Sequence, residues 1–107
     1  MWRKLQRCNM SATIGVLRLE FTLHGNFSLK GKRSVSNSLK MKLQNKFNVS
    51  VAEIESMESH TRLVLAVVTV GNSRKFVEGR LQKALTMAEA AADEELTYSD
   101  VEYFQAD

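Results

Sequence analysis

The chain of 107 residues has no proline, only five glycines and a single cysteine. With so few turn-forming residues it is not a loop-rich or disordered polypeptide. Cys8 has no partner for an internal disulfide, which is typical of a reducing compartment. No stretch approaches the ~20 consecutive apolar residues that span a membrane. These absences predict a cytoplasmic globular protein without a membrane segment.

The sequence also lacks the residue spacings that are typical of catalytic and metal-binding sites. Cys8, His24 and His60 do not form the paired spacing of a zinc site. There is no glycine-rich phosphate loop and no nucleophile elbow. His24 is interpreted as a surface histidine at a strand end, and Glu53 and Glu55 as sharing one side of a strand without a tuned acid–base partner. We therefore predict a protein that is not an enzyme and has no metal and no cofactor.

Charge is distributed unevenly along the chain. Residues 1–52 contain ten Lys/Arg and one Asp/Glu, whereas residues 53–107 contain five Lys/Arg and eleven Asp/Glu. No acidic residue occurs between Glu20 and Glu53. Such asymmetry indicates a surface that meets a polyanion. The alternative is that a compact fold mixes the charges of the two halves, so that the electrostatic potential averages out over the surface.

The N-terminus, MWRKLQRCNMSA, is basic but has no apolar run, so it is not a secretory signal. We interpret residues 1–12 as a mobile extension and residues 13–105 as a single domain. An organellar presequence and a natural start at Met10 are the alternatives.

Hydrophobic periodicity predicts four strands and two helices. Period-two alternation predicts a first strand over residues 13–24, and further strands are predicted over 49–55, 61–70 and 96–104, the last with a bulge. The first helix is expected to begin at an N-cap formed by Ser28, or later by Ser34, and to end near Phe47. Its apolar stripe against the core consists of Val35, Leu39, Leu43 and Phe47.

A second helix is predicted after Gly71-Asn72-Ser73, with an apolar stripe from Val77 to Ala91 or Ala92. The order β-α-β-β-α-β predicts an α+β ferredoxin-like split sandwich, an antiparallel sheet with both helices on one face. The first and third strands are the most apolar, so we expect them in the centre of the sheet.

The run from Gly15 to Glu55 resembles the YlxP-like family of small bacterial proteins, long described as a domain of unknown function. The matching features are the first strand, SLK followed by KR over residues 28–33, and FNVSVAE over residues 47–53. The resemblance implies the ferredoxin-like fold, and it points to an RNA-linked role.

The strongest candidate site is the start and solvent face of the first helix. A helix N-terminus and exposed cations can bind the phosphates of a nucleic acid. Lysines in the first turn oppose the helix dipole, a cost of ~0.3–1 kcal/mol each, which argues against the alternative of a solvated helix face. The RNA- or anion-binding residues we predict are Ser28, Lys30, Lys32, Arg33, Asn37, Lys40 and Gln44, with Lys42 and Lys46 as flanking charges.

These residues predict a protein that binds structured RNA or a ribosomal subunit through its first helix. Base stacking on the sheet is disfavoured because the third strand has no aromatic residue and the first has only Phe21. The alternative hypothesis is a dimeric ligand-sensing or scaffold module. Its basis is that the third strand is apolar on both sides, and an exposed apolar face favours a homodimer. An enzyme with a site at a dimer interface is a third hypothesis, with little support in the sequence.

Overall fold

The structure is a computed structural model that describes residues 11–106. Its elements are β1 (Ala12–Thr22), α1 (Leu29–Lys46), β2 (Ser50–Glu55), β3 (Arg62–Gly71), α2 (Arg74–Ala91) and β4 (Glu95–Ala106). The four strands form one antiparallel sheet in the order β2-β3-β1-β4. The predicted ferredoxin-like fold and the central position of β1 and β3 are confirmed. The extension predicted over residues 1–12 lies outside the described residues, apart from Ser11 and Ala12.

The side chains of β1 alternate between the two faces of the sheet, as the sequence predicts. Leu17, Leu19 and Phe21 are buried against the helices, whereas Arg18 and Glu20 lie on the opposite, open face of the sheet. The ladder ends at Thr22, two residues before the predicted end of the strand. The chain turns there because Gly25 adopts a left-handed conformation, with φ of 77°.

Both predicted serine caps are confirmed. The Ser28 side chain accepts a hydrogen bond from the Gly31 N–H, and the Ser73 side chain accepts one from the Phe76 N–H. In α1, Leu39 and Leu43 are buried, while Val35 and Phe47 are partly buried against the same core. The buried stripe of α2 consists of Val77, Leu81, Ala84 and Ala88.

Two irregularities in the sheet decide which way edge side chains point. In β4, Glu20 pairs with Tyr98 but Phe21 pairs with Leu96, so the predicted bulge is confirmed. In β2, Glu53 pairs with Leu65 but Glu55 pairs with the next residue, Val64. This second bulge leaves Glu53 on the helix side and moves Glu55 to the open face. The prediction that these two glutamates share one side is therefore wrong, because strict alternation fails at a bulge.

The open face of the sheet is not covered by any element within residues 11–106. Both helices pack on the other face, where the hydrophobic core lies. Neither helix is long and apolar enough to cross a membrane.

Candidate nucleic-acid interface

The predicted interface begins at Ser28, where the chain enters α1. The Ser28 Oγ atom accepts the Gly31 N–H at 3.0 Å. Asn26 lies over the same turn, since its Nδ2 atom donates to the backbone oxygens of Ser28 at 2.8 Å and His60 at 2.6 Å. A side chain at Gly31 would collide with the Asn26 amide. The helix start is therefore closely covered by its own chain, and Ser28 acts as a cap.

Lys32 was predicted to lie on the basic surface, and this prediction is wrong because the residue is only 2% exposed. Its Nζ atom donates to the carbonyl oxygens of Ser56 at 2.6 Å and of Met57 and Arg62 at 3.3 Å. It also lies 2.9 Å from Oε2 of Glu53, at an angle that gives an ion pair without a directed hydrogen bond. This lysine joins α1 to the β2–β3 connection and is not free to meet a ligand.

The remaining predicted residues of α1 lie along one flank of the helix. Arg33, Asn37 and Gln44 are exposed, and Lys40 is partly buried. The Gln44 Oε1 atom accepts the Val51 N–H at 3.2 Å, so this flank runs beside the edge strand β2. The structure thus brings Arg33, Asn37, Lys40 and Gln44 together, with Lys30 exposed at the start of the helix.

The two layers of the fold carry opposite charge. The helix α1 has six Lys/Arg and no Asp/Glu, and α2 has four Lys/Arg and two Asp/Glu. The four strands together have two arginines and six Asp/Glu. The helical layer therefore has a formal charge of +8, or +7 without the paired Lys32, and the strands have −4. The fold keeps positive and negative residues apart instead of averaging them.

Sequence reasoning missed the contribution of α2 because the second half of the chain is acidic overall. Arg74, Lys75, Arg80 and Lys83 all lie in this helix. Their grouping within ten residues was the available signal. They place a second set of cations in the same layer as α1.

The cleft between the helices is not uniform in charge. At one end, Ser38 and Lys42 of α1 face Asp93 and Glu94, which follow α2. At the other end, Lys46 and Phe47 face the middle of α2, including Lys83. The acidic segment therefore lies opposite Lys42, and the cation-rich end of the layer is the end of α1.

The open face of the sheet has a balanced cluster of ion pairs. Glu20 accepts hydrogen bonds from Arg18 Nε and from Arg62 Nη2, both at 2.8 Å. Arg18 also pairs with Glu55, which the bulge in β2 has moved to this face. The hydrogen bonds from the two arginines hold the pKa of Glu20 below its usual value, and the bond from Arg18 does the same for Glu55.

Three other features could support chemistry or binding: a histidine, a group of metal ligands and an aromatic platform. His24 is exposed, and its Nε2 atom lies 2.8 Å from Glu95 Oε1. Within residues 11–106, no three His, Cys, Asp or Glu side chains are grouped as metal ligands would be. Phe21 is fully buried under the helices, so the central strands offer no aromatic platform on the open face.

Comparison with known proteins identifies relatives over most of the chain. The model of the DUF503 family, described as a protein of unknown function, matches residues 14–101. The uncharacterized protein YlxP of Bacillus subtilis (strain 168) is 33% identical over 91 residues, covering 85% of this chain and 99% of that protein.

Solved structures are similar to this chain at low sequence identity. A de novo designed protein, Foldit4, has a TM-score of 0.50 and 12% identity, over 88% of this chain and 94% of that one. A dimeric protein of unknown function with a ferredoxin-like fold from Bacteroides fragilis has a TM-score of 0.46 and 15% identity, over 87% and 95%. At 12% identity the likeness to Foldit4 concerns the fold alone.

Proposed function

The chain belongs to the DUF503 family, whose function is unknown, and we propose that it is a non-enzymatic cytoplasmic protein that binds structured RNA, such as that of a ribosomal subunit, through its helical layer. The observation that carries the proposal is the separation of charge between a basic helical layer and an acidic sheet. A polyanion is attracted by one face and repelled by the other, so the charge also orients the protein.

The proposed contacts are to backbone phosphates. Lys30 and Arg33 are exposed and Lys40 is partly so, on a helix without a single acidic residue. Long cationic side chains on a rigid helix hold phosphates and fix register without reading base sequence. Each phosphate neutralised releases counterions, so affinity falls as salt rises, with a slope of about 0.7–0.9 per contact on a double-logarithmic plot.

The test compares two triple variants that lower the net charge by the same amount. The helical variant has Lys30→Gln, Arg33→Gln and Lys40→Gln. The control variant changes exposed residues outside the helices: Ser50→Glu, Met57→Glu and Ser99→Glu. Binding of each to a labelled RNA hairpin is measured by fluorescence anisotropy at several salt concentrations. Co-sedimentation with ribosomal subunits in low salt is measured in parallel.

We expect the helical variant to lose affinity and to reduce the salt slope by about two to three, because three phosphate contacts are removed. The control variant should keep the wild-type slope. Equal losses in both variants would show that only net charge matters, and a flat salt dependence of the wild type would contradict the proposal.

A second candidate, a dimeric sensor or scaffold module, is supported by the open face. Ile14 of β1 is the register partner of both Val70 and Phe104, and these two side chains are 55% and 50% exposed. These apolar side chains stand beside the ion pairs of Arg18, Glu20, Glu55 and Arg62, whose charges are balanced, and a second copy related by a two-fold axis would cover them. Sedimentation velocity of the wild type and of Val70→Glu tests this. A wild type that stays monomeric at high concentration would exclude the dimer.

A further inference from the structure

We infer that the cleft between the end of α1 and the exposed side of α2 is a stacking site for the bases of single-stranded RNA. This inference rests on the proposed function and names a second, more selective site in the same basic layer. Its central residue, Phe76, was not singled out in the sequence.

The cleft consists of two adjoining hollows of about 420 Å³ and 360 Å³, which share Phe47 and Lys83. Gln82 and Met87 line one hollow, and Phe76 and Arg80 line the other. Lys46 also lines the first hollow and Lys75 the second. No acidic side chain is among the described residues that line either hollow, and the lining combines four cations with apolar groups.

Phe76 supplies an aromatic platform that is fixed in position. Its side chain is 55% exposed, and the Arg80 guanidinium carbon lies 4.5 Å from the centre of its ring. Arg80 is itself held, because its Nη1 atom donates to Thr69 Oγ1 at 2.6 Å and to the carbonyl oxygens of Asn48 and Val70 at 3.4 Å. One side of the ring is thus supported by the protein, and the exposed part remains available.

Gly79 keeps the second hollow open. Glycine is unfavourable in the interior of a helix, yet Gly79 lies in the middle of α2 and lines this hollow. A Cβ atom at this position would meet no protein atom within 4 Å. Packing inside the protein therefore does not require the glycine, and the space belongs to the cleft.

These features together match a nucleobase with its phosphates. Single-stranded nucleic acids bind where aromatic side chains stack on bases and a positive groove follows the backbone. Phe76 would stack on a base, while Lys46, Lys75 and Lys83 would contact adjacent phosphates. Bases of a duplex are already stacked on each other and cannot enter the cleft. The site therefore selects unpaired segments of RNA.

The test measures binding of a labelled uridine decamer and of a perfectly paired RNA duplex to the full chain. Phe76→Ala removes the platform, and Gly79→Leu fills the hollow with a residue that favours helix. Phe27→Ala is the matched control, because Phe27 is 87% exposed in the loop before α1 and lies outside the cleft. Thermal melting of every variant confirms that it is folded.

Phe76→Ala and Gly79→Leu should each weaken decamer binding by at least about fivefold, with an unchanged salt slope, because stacking and not charge is lost. Phe27→Ala should bind like the wild type, and duplex binding should not change in any of the three variants. Wild-type decamer affinity in folded Phe76→Ala and Gly79→Leu would overturn the inference while leaving phosphate binding by α1 intact. Failure of the wild type to bind either RNA at low salt would instead overturn the proposed function and this inference with it.

Discussion

The Lys32 Nζ atom lies 2.9 Å from Glu53 Oε2, and this pair joins the first turn of α1 to the edge strand β2. The lysine is almost completely buried and also donates to three carbonyl oxygens, two in the β2–β3 connection and one at Arg62, the first residue of β3. A cation in the first turn of a helix opposes the helix dipole. Here the carboxylate and the carbonyl groups compensate for that position, so the lysine stabilises the tertiary structure.

Lys32→Met should lower the free energy of unfolding by about 3 kcal/mol, because the Glu53 carboxylate and the three carbonyl groups lose their partner. Urea denaturation measures the change. Lys30→Met is the matched control, since Lys30 is exposed in the same turn and should change stability by no more than about 0.5 kcal/mol. Equal stabilities of the two variants would contradict the role assigned to Lys32.

The stability of the protein should fall as pH decreases below about 4.5 through the glutamates of the open face. Arginine hydrogen bonds lower the pKa of Glu20 and Glu55 in the folded protein from the ordinary value of 4.5. A carboxyl group with a depressed folded-state pKa stabilises the fold above its unfolded pKa, and this contribution is lost as pH falls through the folded-state value.

Denaturant unfolding between pH 7 and pH 3 measures this dependence. The variant Glu20→Gln should be less stable than the wild type at pH 7 and should lose less stability on acidification. A wild-type curve and a Glu20→Gln curve that fall in parallel would show that Glu20 does not contribute.

The N-cap formed by Ser28 should contribute about 1 kcal/mol to the free energy of unfolding. Ser28→Ala removes the acceptor for the Gly31 N–H, whereas Ser28→Asp keeps an acceptor and places a favourable charge at the helix start. Thermal and urea unfolding should therefore rank Ser28→Ala below the wild type and Ser28→Asp close to it. The control Ser34→Ala changes an exposed residue inside the helix, and a loss as large as that of Ser28→Ala would contradict the cap.

Two glycine-to-alanine changes should have opposite effects on stability. A Cβ atom at Gly15 of β1 would lie 2.6 Å from Leu81 and 2.7 Å from Val77, so Gly15→Ala should destabilise the protein by about 1–3 kcal/mol through overpacking. At Gly79, in a helix, an added Cβ atom enters open space, so Gly79→Ala should stabilise the protein by about 0.4–1 kcal/mol. Differential scanning calorimetry measures both, and a change of the same sign in the two variants would contradict this account.

Most of the fold could be predicted from the sequence because it depends on local periodicity. The alternation of Leu17, Leu19 and Phe21 determines the buried face of β1, and the serines before each helix determine where α1 and α2 begin. The order of the elements and the apolar character of β1 and β3 then restrict the sheet to one topology. Even the bulge in β4 is visible as imperfect alternation.

The candidate site could be predicted only in part. Lys30, Arg33 and Lys40 are accessible as expected, but the same reasoning placed Lys32 beside them. Helical periodicity gave one signal, because Lys32 lies one turn before Val35, the first residue of the predicted apolar stripe; that Ser36 is buried on the same side is seen only in the structure. A lysine was assigned to the surface because of its charge, although a buried position is acceptable when partners neutralise it.

The sequence by itself determined the elements, their order and the absence of acid from α1, since these are properties of neighbouring residues. Only the tertiary structure decided which cations are free. The partners of Lys32 lie 21 to 30 residues further along the chain, and a bulge of one residue separates Glu53 from Glu55. The cleft around Phe76 likewise exists only where α1 and α2 pack together. Contacts between distant segments arise when the chain closes on itself, and local periodicity does not encode them.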